Sequence, residues 1–69
     1  MSVISLSVNG EDRQVPATST LAEVVATVSG APSGVAAAVN EAVVPRGAWP
    51  RTLLATGDRV EILTAVQGG

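Results

Sequence analysis

The sequence predicts a small α+β domain in which one helix packs on a mixed sheet of four to five strands. Strand-like alternation occurs near both ends, in residues 3–8 and 59–66, and one capped amphipathic helix begins near Leu21. The pattern order is strand, strand, helix, strand, short strand, strand, which is typical of two packed layers. At 69 residues the chain corresponds to one domain, residues 1–69. It has no Cys and no His, so we expect aliphatic burial, rather than disulfides or zinc, to stabilise it.

The first strand pattern is followed by a hairpin signal. The apolar residues that share one face of this strand are Ile4, Leu6 and Val8. Asn9-Gly10 then favours a two-residue turn, because both central residues of such a turn need a positive φ. After a two-residue turn, a return strand over roughly residues 12–16 would pair positions 4 and 6 with positions 15 and 13. The acidic pair Glu11-Asp12, at the start of this strand, is assigned to the turn.

The helix is marked by its cap. Thr20 and Glu23 form a capping box, in which each side chain bonds to the other residue's backbone amide. The apolar stripe behind the cap consists of Leu21, Val24, Val25 and Val28. Gly30 is expected to end the helix as a left-handed cap, and Pro32 prevents its continuation. This stripe covers one face of the sheet and leaves the other partly bare, which is a possible docking surface.

The middle of the chain has two short apolar segments. Val35–Val39 is rich in alanine, the best helix former, but five residues are too few for a stable helix and fit a buried strand. Ala42–Val44 is expected to pair with it through a turn at Asn40-Glu41 and to end at Pro45, as an edge strand does.

The segment between Pro45 and the last strand is punctuated by Pro and Gly. One turn of helix is expected around residues 52–55. Trp49, the sole aromatic residue, is either a plug of the core beneath this loop or a partner contact. Arg46 is either a paired or a solvated turn residue. The last strand places four residues on one face: Val60, Ile62, Thr64 and Val66.

Composition excludes several classes of function. Without His and Cys the chain has no Ser-His or Cys-His nucleophile and no soft metal site, so we expect neither an enzyme nor a metal protein. Its net charge is −2 and its four arginines are scattered, which argues against nucleic acid. No apolar run approaches the roughly 20 residues of a membrane span, and no signal peptide is evident, so a cytoplasmic protein is expected.

The C-terminal residues are the remaining candidate for chemistry. The carboxylate of Gly69 is an anion at neutral pH and a poor acyl donor, but a partner enzyme holding ATP and Mg²⁺ can convert it to an acyl-adenylate. Gly68-Gly69 passes through a narrow channel without obstruction by side chains. We therefore expect residues 67–69, Gln67, Gly68 and Gly69, to form a flexible tail that is threaded into a partner, with about 10 Å of reach.

The chain resembles the ThiS-type sulfur carriers, ubiquitin-like β-grasp proteins of thiamin thiazole biosynthesis. The most diagnostic run is VAAAVNEAVVPRGAW, residues 35–49. The residues that keep the family spacing are Asn9, Thr20-Leu21, Asn40, Val44-Pro45-Arg46, Trp49, Gly57-Asp58, residues 60–63 and Gly68-Gly69. The resemblance implies a β-grasp fold and a carrier that is a substrate of other enzymes and binds no cofactor itself.

The family's chemistry then falls on Gly69. The resemblance implies that its carboxylate is adenylated by a ThiF-type enzyme that uses ATP and Mg²⁺. It is then converted to a thiocarboxylate with sulfur from a cysteine-derived persulfide, and donates that sulfur to thiazole synthase. Three alternatives stay open: a sulfur carrier for molybdopterin synthesis, a non-covalent β-grasp interaction module, and a protein modifier attached to lysines.

Overall fold

The structure is a computed structural model that describes residues 2–30 and 34–64. Its elements, in chain order, are β1 (Val3–Val8), β2 (Glu11–Pro16), α1 (Leu21–Val28), β3 (Val35–Val39), β4 (Ala42–Val44), a 3₁₀ helix (Arg46–Arg51) and β5 (Arg59–Thr64). The five strands form one sheet in the order β2-β1-β5-β3-β4. β1 and β5 run parallel and the other neighbours antiparallel. The predicted α+β class and mixed sheet are confirmed.

The predicted first hairpin is present, and its register, which the sequence left open, is the one that a two-residue turn requires. Position 4 pairs with position 15 and position 6 with position 13. Asn9 and Gly10 have φ of 51° and 84°, as the two-residue turn requires. The prediction that Glu11 and Asp12 lie in the turn was wrong. The turn uses only two residues, so pairing resumes at once and both residues belong to β2.

Val35–Val39 and Ala42–Val44 form a second hairpin, as predicted. Its turn residues Asn40 and Glu41 have φ of 52° and 72°, so both adopt the left-handed conformation without a glycine. Ala37 in the centre of β3 is buried against the helix layer. β4 is an edge strand and ends immediately before Pro45, which confirms the role predicted for this proline.

The helix begins as predicted. The amide of Glu23 donates to the Thr20 hydroxyl at 3.3 Å, and the amide of Thr20 donates to Oε1 of Glu23 at 2.8 Å, so the capping box is complete. Three residues of the predicted stripe are buried: Leu21, Val24 and Val25.

The prediction for the end of the helix was wrong in two respects. Val28 is 36% exposed, because it is the final residue and lies one turn past the buried pair. Gly30 does not have a positive φ. Instead Ser29 is extended, and its amide donates to the carbonyl of Val25 at 2.8 Å, so the chain leaves the helix without a left-handed residue.

The helical turn predicted around residues 52–55 was also wrong. The 3₁₀ helix lies earlier, at Arg46–Arg51, directly after Pro45. The following segment is extended because it pairs with the residues before α1. The amide of Leu21 donates to the carbonyl of Thr52 at 2.8 Å, and the amide of Leu54 donates to the carbonyl of Ser19 at 3.2 Å.

The core lies between α1, the 3₁₀ helix and the inner face of the sheet. Its buried residues are Leu6, Val8, Leu21, Val24, Val25, Ala37, Trp49, Leu54, Val60 and Ile62. Thr64, predicted to share the inner face of β5, is exposed, and Val66 lies outside the described residues.

Trp49 is part of this core. It is 6% exposed, and its Nε1–H donates to the carbonyl of Val44 at 2.8 Å. The guanidinium of Arg46 lies 5.5 Å from the centre of its ring, within the range of a cation–π contact. Trp49 therefore acts as the plug that joins the 3₁₀ helix to the edge of the sheet, and Arg46 covers its outer side.

We predict that Trp49→Phe lowers the free energy of unfolding by about 1–3 kcal/mol, because it removes the indole hydrogen bond to the carbonyl of Val44 and part of a buried ring. Urea denaturation followed by circular dichroism measures this. Leu53→Ala is the control, since Leu53 is 70% exposed and its truncation should change the stability by less than about 0.5 kcal/mol. An equal loss in both variants would contradict the role given to the indole hydrogen bond.

Candidate functional site

The predicted site residues, Gln67, Gly68 and Gly69, lie outside the described residues. What the structure does place is the strand that precedes them. β5 ends at Thr64, whose backbone pairs with Val35 at the start of β3. The Thr64 hydroxyl donates to the hydroxyl of Ser29 at 3.4 Å, next to the end of α1. β5 therefore ends at the corner of the domain where the helix ends and β3 begins.

β5 is the central strand of the sheet and has a partner on each side. It pairs with β3 along five residue positions, from Val35↔Thr64 to Val39↔Val60. Its parallel pairing with β1 is shorter, from Ser7↔Arg59 to Val8↔Val60, because β1 turns away after Val8. The part of β5 that leads toward the C terminus would therefore present an open edge on the β1 side.

The side chain of Asn9 closes this open edge. The backbone amide of Asn9 donates to the carbonyl of Val60 at 2.9 Å. Its Oδ1 accepts from the amide of Ile62 at 2.8 Å, and its Nδ2 donates to the carbonyl of Ile62 at 3.2 Å. The amide group thus takes the place of the next residue of a strand, and Ile62 keeps its backbone hydrogen bonds where β1 no longer runs beside it.

Asn40 does the same at the start of β5. Its backbone amide donates to the carbonyl of Arg59 at 2.8 Å, and its Oδ1 accepts from the amide of Arg59 at 2.9 Å. Its Nδ2 donates to Oδ1 of Asp58 at 3.0 Å. The other oxygen of Asp58 accepts from the amide of Ala55 at 2.8 Å, which closes the turn at Gly57-Asp58.

Sequence reasoning placed Asn9 and Asn40 in turns but missed these bonds to β5. Both residues have left-handed φ, which asparagine tolerates better than most side chains. The sequence signal that could have indicated these bonds is the presence of asparagine at both turns, because glycine would suffice if a positive φ were the only requirement. The side-chain amide carries one donor and one acceptor group, which match the amide and carbonyl of an unpaired strand.

The sheet face opposite the helix is partly bare, as predicted, and its apolar part lies on β3, β4 and β5. Leu63 is 72% exposed and Val43 77%. Pairing places Ala36 beside Leu63, and Ala38 beside Val43. With the small alanines between larger side chains, these four residues surround a shallow depression of about 190 Å³, which we call the outer depression.

One acidic residue belongs to the outer depression. Glu61 projects from β5 on the same face as Leu63, beside Asn9 and Ala38. The neighbouring cation on this strand, Arg59, forms an ion pair with Glu41 at 3.3 Å.

Within residues 2–30 and 34–64, no group of three or more Asp or Glu side chains is arranged to hold a metal ion. In the same ranges, no helix has the length and apolar character that crossing a membrane requires.

These features together define the class. A five-stranded mixed sheet that holds one helix, with a central parallel pair and two hairpins, is a ubiquitin-like β-grasp domain. Within that class, the chain belongs to the ThiS family, whose family model matches residues 6–69. The family places the chain among the sulfur carrier proteins of thiamin biosynthesis, and the resemblance seen in the sequence is confirmed.

A solved structure supports the assignment. The crystal structure of the thiamine biosynthesis protein ThiS from Geobacter metallireducens is similar, with a TM-score of 0.76 and 29% sequence identity. The match covers 96% of this chain and 100% of that one. No curated protein gives a significant match.

We predict that Asn9→Gly lowers the free energy of unfolding by about 1–3 kcal/mol, because it removes both side-chain bonds to Ile62 while glycine still accepts the positive φ. Glu41→Gly is the matched control. Glu41 also has a positive φ in a hairpin turn, but its side chain makes only an exposed ion pair, so its replacement should change stability by less than about 1 kcal/mol. Urea denaturation, followed by the fluorescence of Trp49, measures both. Equal destabilisation would show that the turn conformation, rather than the amide bonds, explains Asn9.

Proposed function

We propose that this chain carries sulfur for thiazole formation as a thiocarboxylate on Gly69. The membership of residues 6–69 in the ThiS family is the observation that carries the proposal. The chain itself supplies a folded domain, a central strand that precedes the tail in sequence, and an acyl group on Gly69 with no side chain on Gly68 or Gly69. The catalytic groups belong to its partner enzymes.

The first step is activation of the carboxylate. An oxygen of the Gly69 carboxylate attacks the α-phosphorus of ATP on a ThiF-type adenylating enzyme, with Mg²⁺ bound there, and pyrophosphate leaves. The product is an acyl-adenylate, a mixed anhydride with AMP as a good leaving group. Without activation the leaving group would be oxide, so the free carboxylate cannot donate its acyl group.

Sulfur then replaces oxygen in two steps. The terminal sulfur of a cysteine-derived persulfide attacks the carbonyl carbon of Gly69, and AMP leaves. A second thiol attacks the resulting acyl disulfide at the sulfur of the donor cysteine. This produces a disulfide between donor and thiol and leaves the thiocarboxylate on Gly69. The thiocarboxylate is the nucleophile that thiazole synthase accepts.

The absence of lysine argues against chains of this protein that are linked to one another through Gly69. The chain has four arginines and no lysine. An activated Gly69 would be attacked by nearby amines, and the side chains of this sequence provide none. We therefore propose that the composition limits self-acylation. Replacing exposed arginines by lysine should shorten the lifetime of the activated species, followed by intact mass; an unchanged lifetime would contradict the idea.

The proposal predicts a defined change of mass. After incubation with ATP, Mg²⁺, the adenylating enzyme and a persulfide donor, intact mass spectrometry should show one oxygen replaced by sulfur, and fragmentation should place it on Gly69. The matched control is the chain with Gly69 deleted, which should stay unmodified. No adduct on the full chain, or an equal adduct on the control, would favour a non-covalent interaction module.

Labelled sulfur identifies the pathway. Transfer of the label to a thiazole in the presence of thiazole synthase is the expected result. Transfer to a pterin dithiolene instead would assign the carrier to molybdopterin synthesis.

A further inference from the structure

The outer depression combines one carboxylate with a largely apolar lining. Its rim consists of the exposed side chains of Leu63 and Val43, and its floor includes Ala36 and Ala38. Glu61 projects into this group from the centre of the sheet, since it lies on β5 beside Ala38. Exposed apolar surface of this kind marks binding sites, and the carboxylate adds a requirement about what binds.

The carboxylate of Glu61 has no partner within the described part of the chain. The ion pairs of residues 2–30 and 34–64 are Arg13–Glu11 and Arg59–Glu41, and neither includes it. Asn9, the other polar residue that lines the depression, uses both polar atoms of its side-chain amide on the backbone of Ile62. The domain therefore presents Glu61 to the outside with its hydrogen-bonding capacity unused.

The physical complement of this surface is a cation on an aliphatic stem. Arginine and lysine side chains lay their methylene groups along apolar surface and place the charge at the end. Arginine fits better, because its guanidinium can bond both oxygens of a carboxylate. The net charge of −2 also favours a partner with a basic surface.

A second copy of the chain is a poor occupant. A two-fold contact centred on the outer depression would bring the two Glu61 carboxylates toward each other, and like charges across an interface are unfavourable. The partner must therefore differ from this chain.

We propose that the outer depression binds a single arginine or lysine side chain, framed by apolar residues, on the enzyme that activates Gly69. The choice of that enzyme rests on the proposed function. The depression lies on the same strand that leads to the tail, and Leu63 directly precedes Thr64 at the end of β5. A partner anchored there holds the domain next to the residues on which it acts.

Binding of the complete chain to the purified adenylating enzyme without ATP tests the proposal, measured by isothermal titration calorimetry. Glu61→Gln keeps the size of the side chain and removes its charge, and we expect it to raise Kd by about tenfold or more. The matched control is Glu11→Gln, which removes the same charge from the far edge strand, β2, and should change Kd by less than about twofold. Added salt should weaken the wild-type complex more than the Glu61→Gln complex, because screening acts on the ion pair.

Three outcomes overturn the proposal. If Glu61→Gln binds as tightly as the wild type, the depression receives no cation, while a persisting thiocarboxylate on Gly69 would leave the proposed function intact. If the wild-type chain does not bind the enzyme at all, the depression is not its docking site, and the mass measurement on Gly69 decides separately whether the proposed function fails. If sedimentation shows a dimer that Glu61→Gln strengthens, the occupant is a second copy. Circular dichroism of each variant confirms that the fold is unchanged.

Discussion

The structure depends on hydrogen bonds to the backbone of β5, because this strand extends beyond the end of its parallel neighbour, β1. β1 leaves the sheet after Val8, and the amide of Asn9 bonds to Ile62 in place of the missing strand. At the start of β5, Asn40 supplies equivalent bonds to Arg59. Unpaired backbone groups at a partly buried position cost about 1–3 kcal/mol each, a large share of the stability of a domain this small. The two turns thus serve the central strand as well as their own hairpins.

Around this strand the core is almost entirely aliphatic. Valines, leucines and one isoleucine fill the space between sheet and helix, and Trp49 adds the only large ring. The short helix is rich in valine, which lowers its intrinsic helix propensity, so its capping box and its buried residues stabilise it. The extended segment before β5 contributes as well, because Leu54 enters the core while its backbone pairs with Ser19. The chain has no cysteine, and burial of this aliphatic core holds the helix on the sheet, while backbone bonds join the extended segment to the start of the helix.

The sequence predicted those elements whose signals are local. The Asn9-Gly10 turn, the capping box of Thr20 and the alternation of the strands depend on residues a few positions apart, and all three are confirmed. Two local signals were also misjudged, the cap at Gly30 and the turn assignment of Glu11 and Asp12. The helical turn expected around residues 52–55 was wrong because of non-local bonds. The segment after Trp49 is extended because Thr52 bonds to Leu21, about thirty positions earlier, and no local pattern carries that information. Likewise the outer depression appears only after strand order and register are known, whereas Gly69 was selected from composition and family resemblance alone.

The position of β5 has a mechanical consequence. Under the proposed function an enzyme holds the tail, and a pull along the axis of β5 would then act on the end of this strand. Because β5 is flanked by β1 on one side and β3 on the other, the pull loads the hydrogen bonds of both ladders together in shear, rather than opening them one after another. A tail attached to an edge strand would peel away under the same force. The central position of β5 therefore favours a domain that stays folded while an enzyme binds the residues that follow this strand.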